Sequence, residues 1–369
     1  MLNNKKILFV TFSNIFKPKT GGEYISNRNY KILKSIIETD LLLFNEENKE
    51  ECYFIPTKKT KLQILYYTLQ KRINYNKKYE KIIIEIIKKN KYDLIFLDSS
   101  LFGFLCEKIK LNFPTIKIIT FFHNIEYNYS KEMARLKKKI HYLTWIVSYL
   151  NEKKVIKNSD KIIVLNKREN EELERIYKRK SDYILPLSFK DEFNKEKIIN
   201  NNKLNYLFLG TNFYANYEGI KWFVNNVMSE LDGELYIVGK DFEKVKKELE
   251  ILPNIKVIGT VDKTEDWYYK IPIVISPIFS GSGMKTKTAE ALMFGKYIFG
   301  TTEAFEGYEL EYDKVGGLCN NKEEFIKKIK NQNKKILTES FNNYSREEYL
   351  KKYSWEQTKN RIEEILNEI

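Results

Sequence analysis

The sequence predicts an α/β chain built from two doubly wound domains. With 369 residues, the chain is too long for one ordinary hydrophobic core. Short apolar runs alternate with helical patterns in two separate blocks, which is typical of parallel sheets covered by helices. Between the blocks, residues 192–205 are polar and show no clear period. We therefore expect one domain over residues 1–190 and another over 191–349, facing each other across a cleft.

The first block opens with a β-loop-α-β pattern. Helical patterns cover residues 24–37, 60–90 and 130–158, and in the second of these Leu62 and Tyr66 belong to an apolar set that recurs every three or four residues. Apolar faces rich in Tyr and Leu are typical of helices that face a core. The runs that predict buried parallel strands are KKILFVTF from residue 5, DLLLFN from 40, YDLIFLDS from 92, TIKIITFFHN from 115, DKIIVLN from 160 and SDYILPLSF from 181.

The second block repeats the alternation. Its predicted strands are YLFLG from residue 206, ELYIVGK from 234, NIKVIGTV from 254, IPIVISPIF from 271 and KYIFGT from 296. Its predicted helices cover residues 217–228, 242–251, 265–271, 286–294 and 321–332, followed by a helical tail over 344–369. In such sheets, ligands bind beyond the carboxyl ends of the strands, so the loops that follow strands are the candidate functional segments.

Positive charge is concentrated in the first half of the chain. The net charge is +14, and residues 1–200 contain 40 Lys and Arg against 24 Asp and Glu, whereas residues 201–369 contain 24 against 26. This asymmetry predicts an anionic partner for the first half. The basic stretch 58–81 would suit an anionic membrane surface. We expect no nucleic-acid partner, because no recognition motif is present and the aromatic residues are spread through the strand and helix patterns.

Cysteine usage and hydropathy indicate the compartment. Cys52, Cys106 and Cys319 are far apart and match no metal-ligand spacing, which indicates free thiols in a reducing compartment and no metal site. The first apolar run is too short for a signal peptide, and no stretch approaches the roughly 20 apolar residues of a membrane span. We expect a cytoplasmic protein, with the inner face of the membrane as an alternative location.

Three loops after strands carry candidate residues. Gly21 and Gly22 come just before the first helix, where backbone N–H groups without a nearby Cβ suit a phosphate. Gly210 ends the first strand of the second block and would let a ligand approach closely. His123 follows the strand from residue 115, where an imidazole could bind a substrate hydroxyl group. The other histidine, His141, lies inside a helical pattern, which favours a structural role.

The segment FSGSGMKTKTAEALMFG, residues 279–295, carries the most chemistry. Its glycine-rich turn leads into a helix, so the N–H groups of Gly283, Met284 and Lys285 would favour an anion. Lys287 adds a second positive charge, and the Glu290 carboxylate would bind the two vicinal hydroxyls of a ribose. These groups together suit a nucleoside diphosphate. The competing interpretation is a plain glycine turn followed by an i,i+3 ion pair between Lys287 and Glu290.

The stretch SPIFSGSGMKTKTAEALMFGKYIFGTTEAFEG resembles the glycosyltransferases of the GT-B fold in retaining family 4. Gly21-Gly22, FFHNIE, SDKIIVLNKRENEEL, FLGTNFYANYEGIKWFVNNV and YSWEQT are similar to the family's other segments, in the same order. The resemblance therefore covers nearly the whole chain. It implies two Rossmann-like domains, with a C-terminal helix over residues 350–369 that returns to the first domain.

The resemblance implies a metal-independent hexosyltransferase without a cofactor. A sugar would pass, with retention of anomeric configuration, from a nucleoside diphosphate sugar to a glycan or a lipid-linked acceptor, in the synthesis of a surface polysaccharide. His123 and Glu290 match the family's catalytic positions. The donor-binding positions implied by the resemblance and by the loops are Gly21, Gly22, Gly210, Gly283, Met284, Lys285, Thr286, Lys287 and Glu290.

The sequence departs from the family pattern at two places. Ser282 occupies the position where the family often has a first, sugar-contacting glutamate, which leaves the donor sugar and base open. The usual Arg/Lys pair after the first strand of the second domain is also missing, and we expect Lys285 and Lys287 to replace its charge. A GT-B nucleotide-sugar epimerase is the alternative function, and a nucleic-acid-binding protein is the remote one.

Overall fold

The computed structural model describes residues 5–18, 20–45, 52–57, 60–137, 140–199, 203–281 and 283–369. The chain divides into two compact units. The first consists of Met1–Pro186 together with Lys359–Ile369, and the second of Leu187–Thr358. Part of the polar stretch 192–205 and the position of Ser282 lie outside the described residues.

The first unit contains a seven-stranded parallel sheet in the order β3-β2-β1-β4-β5-β6-β7. The strands are β1 Lys6–Thr11, β2 Glu38–Asn45, β3 Tyr53–Pro56, β4 Leu94–Leu97, β5 Lys117–Phe122, β6 Lys161–Val164 and β7 Tyr183–Ile184. The helices are α1 Gly21–Ile36, α2 Lys61–Leu69, α3 Tyr79–Asn90, α4 Gly103–Asn112, α5 Glu126–Lys137, α6 Ile140–Asn158 and α7 Lys167–Tyr177. Chain order reverses at β1, so the carboxyl ends of β1 and β4 flank the switch point where doubly wound sheets bind ligands.

Three helical predictions in this unit differ from the structure, and the one over residues 130–158 corresponds to α5 and α6, which begin at Glu126 and Ile140. α1 begins at Gly21 rather than at residue 24, because Thr20 and Glu23 form a reciprocal capping box. Gly21 and Gly22 therefore form the first turn of the helix instead of preceding it. The predicted helix over residues 60–90 is broken in two, since Lys71 and Asn74 adopt left-handed φ values of 60° and 66°.

The second unit contains a six-stranded parallel sheet in the order β10-β9-β8-β11-β12-β13. The strands are β8 Tyr206–Leu209, β9 Leu235–Val238, β10 Ile255–Gly259, β11 Ile273–Ser276, β12 Tyr297–Gly300 and β13 Gly316–Leu318. The helices are α8 Tyr214–Asn226, α9 Lys246–Leu249, α10 Glu265–Lys270, α11 Thr286–Met293, α12 Tyr312–Val315, α13 Lys322–Thr338, α14 Asn343–Glu348 and α15 Trp355–Asn367, whose last residues belong to the first unit.

The two sheets confirm the predicted α/β fold class. Numbered within its own unit, the first sheet has the strand order 3-2-1-4-5-6-7 and the second has 3-2-1-4-5-6, which is the doubly wound order. Each unit has its own core of strand and helix side chains, including Phe102 and Ile118 in the first and Phe223 and Ile275 in the second. Within the described residues, no helix combines the length and apolarity needed to cross a membrane.

Candidate functional site

His123 lies at the carboxyl edge of the first sheet, next to a residue that the sequence analysis did not select. β4 and β5 are parallel neighbours, so Asp98 and His123, which directly follow them, meet at this edge. The Nε2 atom of His123 lies 3.2 Å from Oδ1 of Asp98, a fully buried carboxylate. An acidic residue directly after the apolar run LIFL, at the switch point of the sheet, was the signal available in the sequence.

The Gly21-Gly22 turn lies beside the same histidine. A Cβ atom placed on Gly22 would lie 3.9 Å from Nδ1 of His123 and, apart from the backbone of its own helix, would meet no other described atom within 4 Å. Nδ1 is buried and has no hydrogen-bond partner among the described residues. The Ser26 hydroxyl lies 3.4 Å from the other ring nitrogen, Nε2. The structure thus brings His123 and Gly22 together, with the unpaired ring nitrogen directed toward the start of α1.

Two buried carboxylates hold the loop after His123. Glu169 accepts the N–H of Ile125 at 2.9 Å, and Glu152 accepts the N–H groups of Glu126 and Tyr127 at 2.8 and 3.1 Å. Burial raises the pKa of Glu152 to about 7, and burial together with the neighbouring Glu152 raises the pKa of Glu126 to about 8. Glu152 therefore satisfies the first N–H groups of α5 and fixes the backbone behind His123.

In the second unit, the segment 277–285 connects β11 to α11 at the carboxyl edge of the sheet. Gly281 and Gly283 have φ values of 144° and 68°, which favour glycine. Lys285 is the N-cap residue of α11, and its side chain makes no capping hydrogen bond. Thr286 and Lys287 are the first two residues of the helix. The start of α11 thus keeps N–H groups that its N-cap side chain does not bind, which suits an anion.

The two lysines of this segment have different environments. The Lys285 ammonium forms an ion pair with Glu303 at 2.6 Å and donates to the Gly283 carbonyl at 2.8 Å. Lys287 is only 8% exposed, and its Nζ donates to Oδ1 of Asn216 at 2.7 Å. Lys285 thus already has an acidic partner, whereas the nearest described acceptor of Lys287 is a neutral amide.

Burial dominates the electrostatics of Lys287. Burial, reinforced by the positive charge of Lys285 and opposed by Glu290, lowers the pKa of the Lys287 ammonium to about 7. Its Nζ lies 4.5 Å from the centroid of the Phe208 ring. An anion bound at this point would raise the pKa again and keep the ammonium charged.

Gly210 allows the side chains of Asn216 and Lys287 to pack closely against the end of β8. A Cβ atom on Gly210 would lie 2.7 Å from Nδ2 of Asn216 and 3.2 Å from Nζ of Lys287. Gly239, with a φ of 139°, packs so closely that its Cβ would overlap the Gly210 carbonyl oxygen at 1.7 Å. The ends of β8 and β9 are therefore both free of side chains next to the buried ammonium.

Glu290 lies one turn along α11. Its carboxylate accepts a 3.1 Å hydrogen bond from the hydroxyl of Tyr268, whose ring stacks on Phe294. Burial raises the pKa of Glu290 to about 7, while the Tyr268 hydrogen bond and the charge of Lys287 oppose the shift. Lys287 donates to Asn216 instead of Glu290, which argues against the interpretation of the motif as a plain i,i+3 ion pair.

The remaining sequence candidates are placed as follows. The Met284 thioether accepts the N–H of Leu187 at 3.5 Å. The side chain of His141 lies outside the described residues. Asn216 and Tyr268, which contact Lys287 and Glu290, were missed because neither belongs to a motif in the sequence. In the part of the chain that the structure describes, no group of three His, Cys, Asp or Glu side chains could hold a metal ion.

Comparison with known proteins agrees with this architecture. Residues 203–332 match the family model described as "Glycosyl transferases group 1". The sucrose-phosphate synthase of Thermosynechococcus elongatus has a TM-score of 0.69 at 15% identity, over 99% of both chains. The lipopolysaccharide outer core galactosyltransferase WaaB has a TM-score of 0.68 at 13% identity, over 99% of this chain and 100% of that chain.

A third structure contains a ligand. Anabaena HepE in complex with UDP-glucose has a TM-score of 0.66 at 12% identity, over 99% of this chain and 100% of that chain. No curated protein matches the sequence significantly. The structural likenesses show a GT-B fold for the whole chain. Together with the family match over the second unit, they support a glycosyltransferase.

Proposed function

We propose that the chain transfers a hexose from a nucleoside diphosphate sugar to a glycan or a lipid-linked acceptor, with retention of anomeric configuration. The observation that carries this proposal is the buried Lys287 ammonium, which lies beside the side-chain-free end of β8 in the same segment that begins α11. A buried cation that has no carboxylate partner among the described residues favours an anionic ligand. HepE, which shares the fold, binds UDP-glucose.

Different residues of the second unit would bind different parts of the donor. Lys287 and the first N–H groups of α11 would bind the diphosphate, with Gly210 and Gly283 allowing close backbone approach. Glu290, held by Tyr268, would accept hydrogen bonds from the ribose hydroxyls. Lys285 contributes less charge than the sequence suggests, because Glu303 already balances it. Its main role in this proposal is to stabilise the conformation of the turn, through its hydrogen bond to the Gly283 carbonyl.

The chemical step requires no metal in this proposal. The bond between the anomeric carbon and the diphosphate oxygen breaks, and the anomeric carbon bonds to the acceptor oxygen on the same face of the sugar. The acceptor proton passes to the leaving diphosphate. Lys287 and the N–H groups of α11 stabilise the negative charge that develops on the diphosphate. His123 binds a hydroxyl group of the transferred sugar, with Gly22 keeping the space before its ring open.

Turnover assays test the reaction directly. Purified protein is incubated with nucleoside diphosphate sugars and candidate acceptors, and the product is analysed by NMR for its anomeric configuration. Retention of configuration supports the proposal, and inversion contradicts it. Conversion of the nucleotide sugar into an epimer without acceptor would instead identify the alternative, an epimerase. Activity that survives excess EDTA supports a metal-independent reaction.

We propose in addition that the acceptor lies at an anionic membrane surface, as part of surface polysaccharide synthesis. α2 exposes an apolar stripe along one face, in which Leu62 is 81%, Tyr66 52% and Leu69 65% exposed. The Tyr- and Leu-rich pattern of α2 is typical of a face that packs against a core, whereas the structure exposes this face. Glu80, the acidic residue of the described stretch 60–81, is buried and paired with Arg72. The exposed cations of this stretch are Lys61, Lys71, Lys77, Lys78 and Lys81.

Such a stripe flanked by cations suits a bilayer with anionic lipids, where each lysine contributes about 1 kcal/mol. Vesicle sedimentation tests the proposal with a variant in which Leu62, Tyr66 and Leu69 are replaced by Ser. We expect the wild type to bind phosphatidylglycerol vesicles and the variant to lose binding. The matched control is Leu111→Ser, which replaces an equally exposed leucine on α4. Equal binding to neutral and anionic vesicles would contradict the electrostatic part.

A further inference from the structure

The Asp98 carboxylate is surrounded by hydrogen-bond donors inside the first unit. The hydroxyl of Thr11 donates to Oδ2 at 2.8 Å, and the amide of Asn29 donates to Oδ1 at 3.4 Å. Nε2 of His123 is the third neighbour, 3.2 Å from Oδ1. Asp98, Asn29 and Thr11 are all at most 2% exposed, so water does not compete for these bonds. A buried carboxylate in this setting accepts from each neighbour.

Arg28 fixes which way the Asn29 amide points. Nε and Nη2 of Arg28 donate to Oδ1 of Asn29 at 3.1 and 2.7 Å. Because a guanidinium has no acceptor, the oxygen of the Asn29 amide must face Arg28, and its NH2 group must face Asp98. Burial lowers the pKa of Arg28 to about 9, while the charge of Asp98 opposes this, so the guanidinium remains charged at neutral pH.

The far end of these hydrogen bonds is Pro186, the last residue of the long segment Met1–Pro186 of the first unit. Nη1 of Arg28 donates to the carbonyl oxygen of Pro186 at 2.6 Å. The chain leaves the first unit directly after Pro186. Buried hydrogen bonds therefore run from the point where the chain leaves this unit to Asp98, whose Oδ1 lies 3.2 Å from Nε2 of His123.

We propose that Asp98 is a positioning residue, held by Asn29 and Arg28, that fixes His123 as the tautomer protonated on Nε2. Nδ1 then carries the lone pair, and it is the ring nitrogen that faces Gly22 and has no partner in the part of the chain that the structure describes. This tautomer accepts a hydrogen bond from a hydroxyl group of the transferred sugar and cannot donate one there. The last statement rests on the proposed glycosyl transfer, whereas the tautomer itself does not.

The tautomer can be measured without any ligand. The chain has two histidines, so a long-range ¹H–¹⁵N correlation spectrum of ¹⁵N-histidine-labelled protein contains two ring patterns. The His141→Gln variant assigns them. We expect neutral His123 in the wild type to carry its proton on Nε2. In Asp98→Ala, Nε2 loses the carboxylate and keeps the Ser26 hydroxyl, which can donate or accept, so both tautomers should appear.

Matched variants separate positioning from folding. Asp93→Asn replaces an exposed aspartate just before β4, at the opposite end of the strand from Asp98, and should leave the His123 pattern unchanged. Asp98→Asn keeps an oxygen at the Oδ1 position, where Asn29 and His123 both meet it, so the wild-type tautomer should persist in this variant. Asp98→Leu, which is similar in size, serves if Asp98→Ala does not fold, and it should also show both tautomers. A wild-type proton on Nδ1, or an unchanged pattern in folded Asp98→Ala or Asp98→Leu, would overturn the proposal.

Kinetics provide the second readout. With the donor and acceptor found in the turnover assays, Asp98→Ala should lower kcat/KM by about 10²-fold while Asp93→Asn leaves it unchanged. Undiminished turnover in folded Asp98→Ala would contradict the role in catalysis. If the wild type turns over no sugar nucleotide at all, the proposed function fails, and the NMR result still decides whether Asp98 sets the tautomer.

Discussion

Replacing Lys287 with Met should stabilise the protein and weaken donor binding at the same time. Lys287 is buried, and its pKa is lowered from the usual 10.5 to about 7, chiefly by loss of solvation. Burying this group therefore opposes folding. Met has a similar unbranched shape and no charge, so it can fill the same space.

The expected size of the stabilisation follows from the lowered pKa. A tenfold change in proton affinity corresponds to about 1.4 kcal/mol, so at pH 7 the ammonium destabilises the fold by roughly 4 kcal/mol. Loss of the hydrogen bond to Asn216 offsets about 1 kcal/mol or more. We expect a net gain of roughly 2 to 3 kcal/mol, which raises the Tm of a unit of this size by roughly 5 to 10 °C.

The stabilisation of Lys287→Met over the wild type should decrease as the pH rises above about 7. Because the folded-state pKa is depressed, the penalty is fully present at and below about pH 7. It fades as pH rises toward 10.5, where the lysine of the unfolded chain also loses its proton. Calorimetric scans between pH 6 and pH 10 should therefore show wild type and Lys287→Met converging at high pH.

Donor binding should change in the opposite direction. A hydrogen bond from a charged group contributes about 1.5 to 3 kcal/mol, so the affinity for a nucleoside diphosphate should fall roughly 10- to 150-fold in titration calorimetry. Lys296→Met is the matched control, since burial lowers the pKa of Lys296 to about 7 as well. Lys296 directly precedes β12, at the amino edge of the same sheet, so its replacement should stabilise the unit and leave binding unchanged.

The reasoning about Lys287 is refuted by either of two results. One is a Lys287→Met variant that is less stable than the wild type at pH 7 while Lys296→Met is more stable. The other is a folded Lys287→Met variant that binds the diphosphate as tightly as the wild type.

Three further predictions concern the donor and the histidine. Binding of a nucleoside diphosphate should be strongest near pH 7. Above this pH Lys287, with a pKa lowered to about 7, loses its proton, and below it Glu290, with a pKa raised to about 7, gains one. Calorimetric Kd values that stay the same from pH 5.5 to 8.5 would contradict this prediction. Glu290→Gln should weaken binding of a nucleoside diphosphate by about tenfold but barely affect binding of inorganic diphosphate, since it removes the ribose acceptor only. Gly22→Ala should fold with an unchanged or slightly higher Tm, because the only described atom near the new methyl group is His123 Nδ1 at 3.9 Å and Ala favours a helix by up to ~1 kcal/mol over Gly. The same variant should lower kcat/KM at least tenfold, because the methyl group occupies the space before that nitrogen. Full activity would show that this space is not used.

Local sequence patterns predicted the architecture well. The apolar runs identified most of the strands, since buried parallel strands are continuous apolar segments. β3 and β13 were missed because they are short and carry residues such as Pro56 and two glycines. The break between α2 and α3 was also missed, because Lys71 and Asn74 adopt left-handed conformations that an apolar period does not reveal.

The candidate sites were predictable in their motifs but not in their partners. The glycine-rich segment and the histidine after β5 were recognisable because their residue types stand at the ends of strands. The difference between Lys285 and Lys287 was not, since it depends on Glu303 and Asn216, which approach from other loops. Asp98 was overlooked for the same reason: its role follows from the pairing of β4 with β5, which places it beside His123.

Equilibrium binding of a nucleotide panel tests the central claim most directly. Titration calorimetry at pH 7 would compare nucleoside diphosphate sugars, the matching nucleoside diphosphates and the nucleosides alone, with wild type and Lys287→Met. The account predicts that at least one nucleoside diphosphate sugar binds the wild type, that its nucleoside alone binds far more weakly, and that Lys287→Met loses most of the difference. Absence of binding by every sugar nucleotide, or equal binding of a nucleoside and its diphosphate, would contradict it.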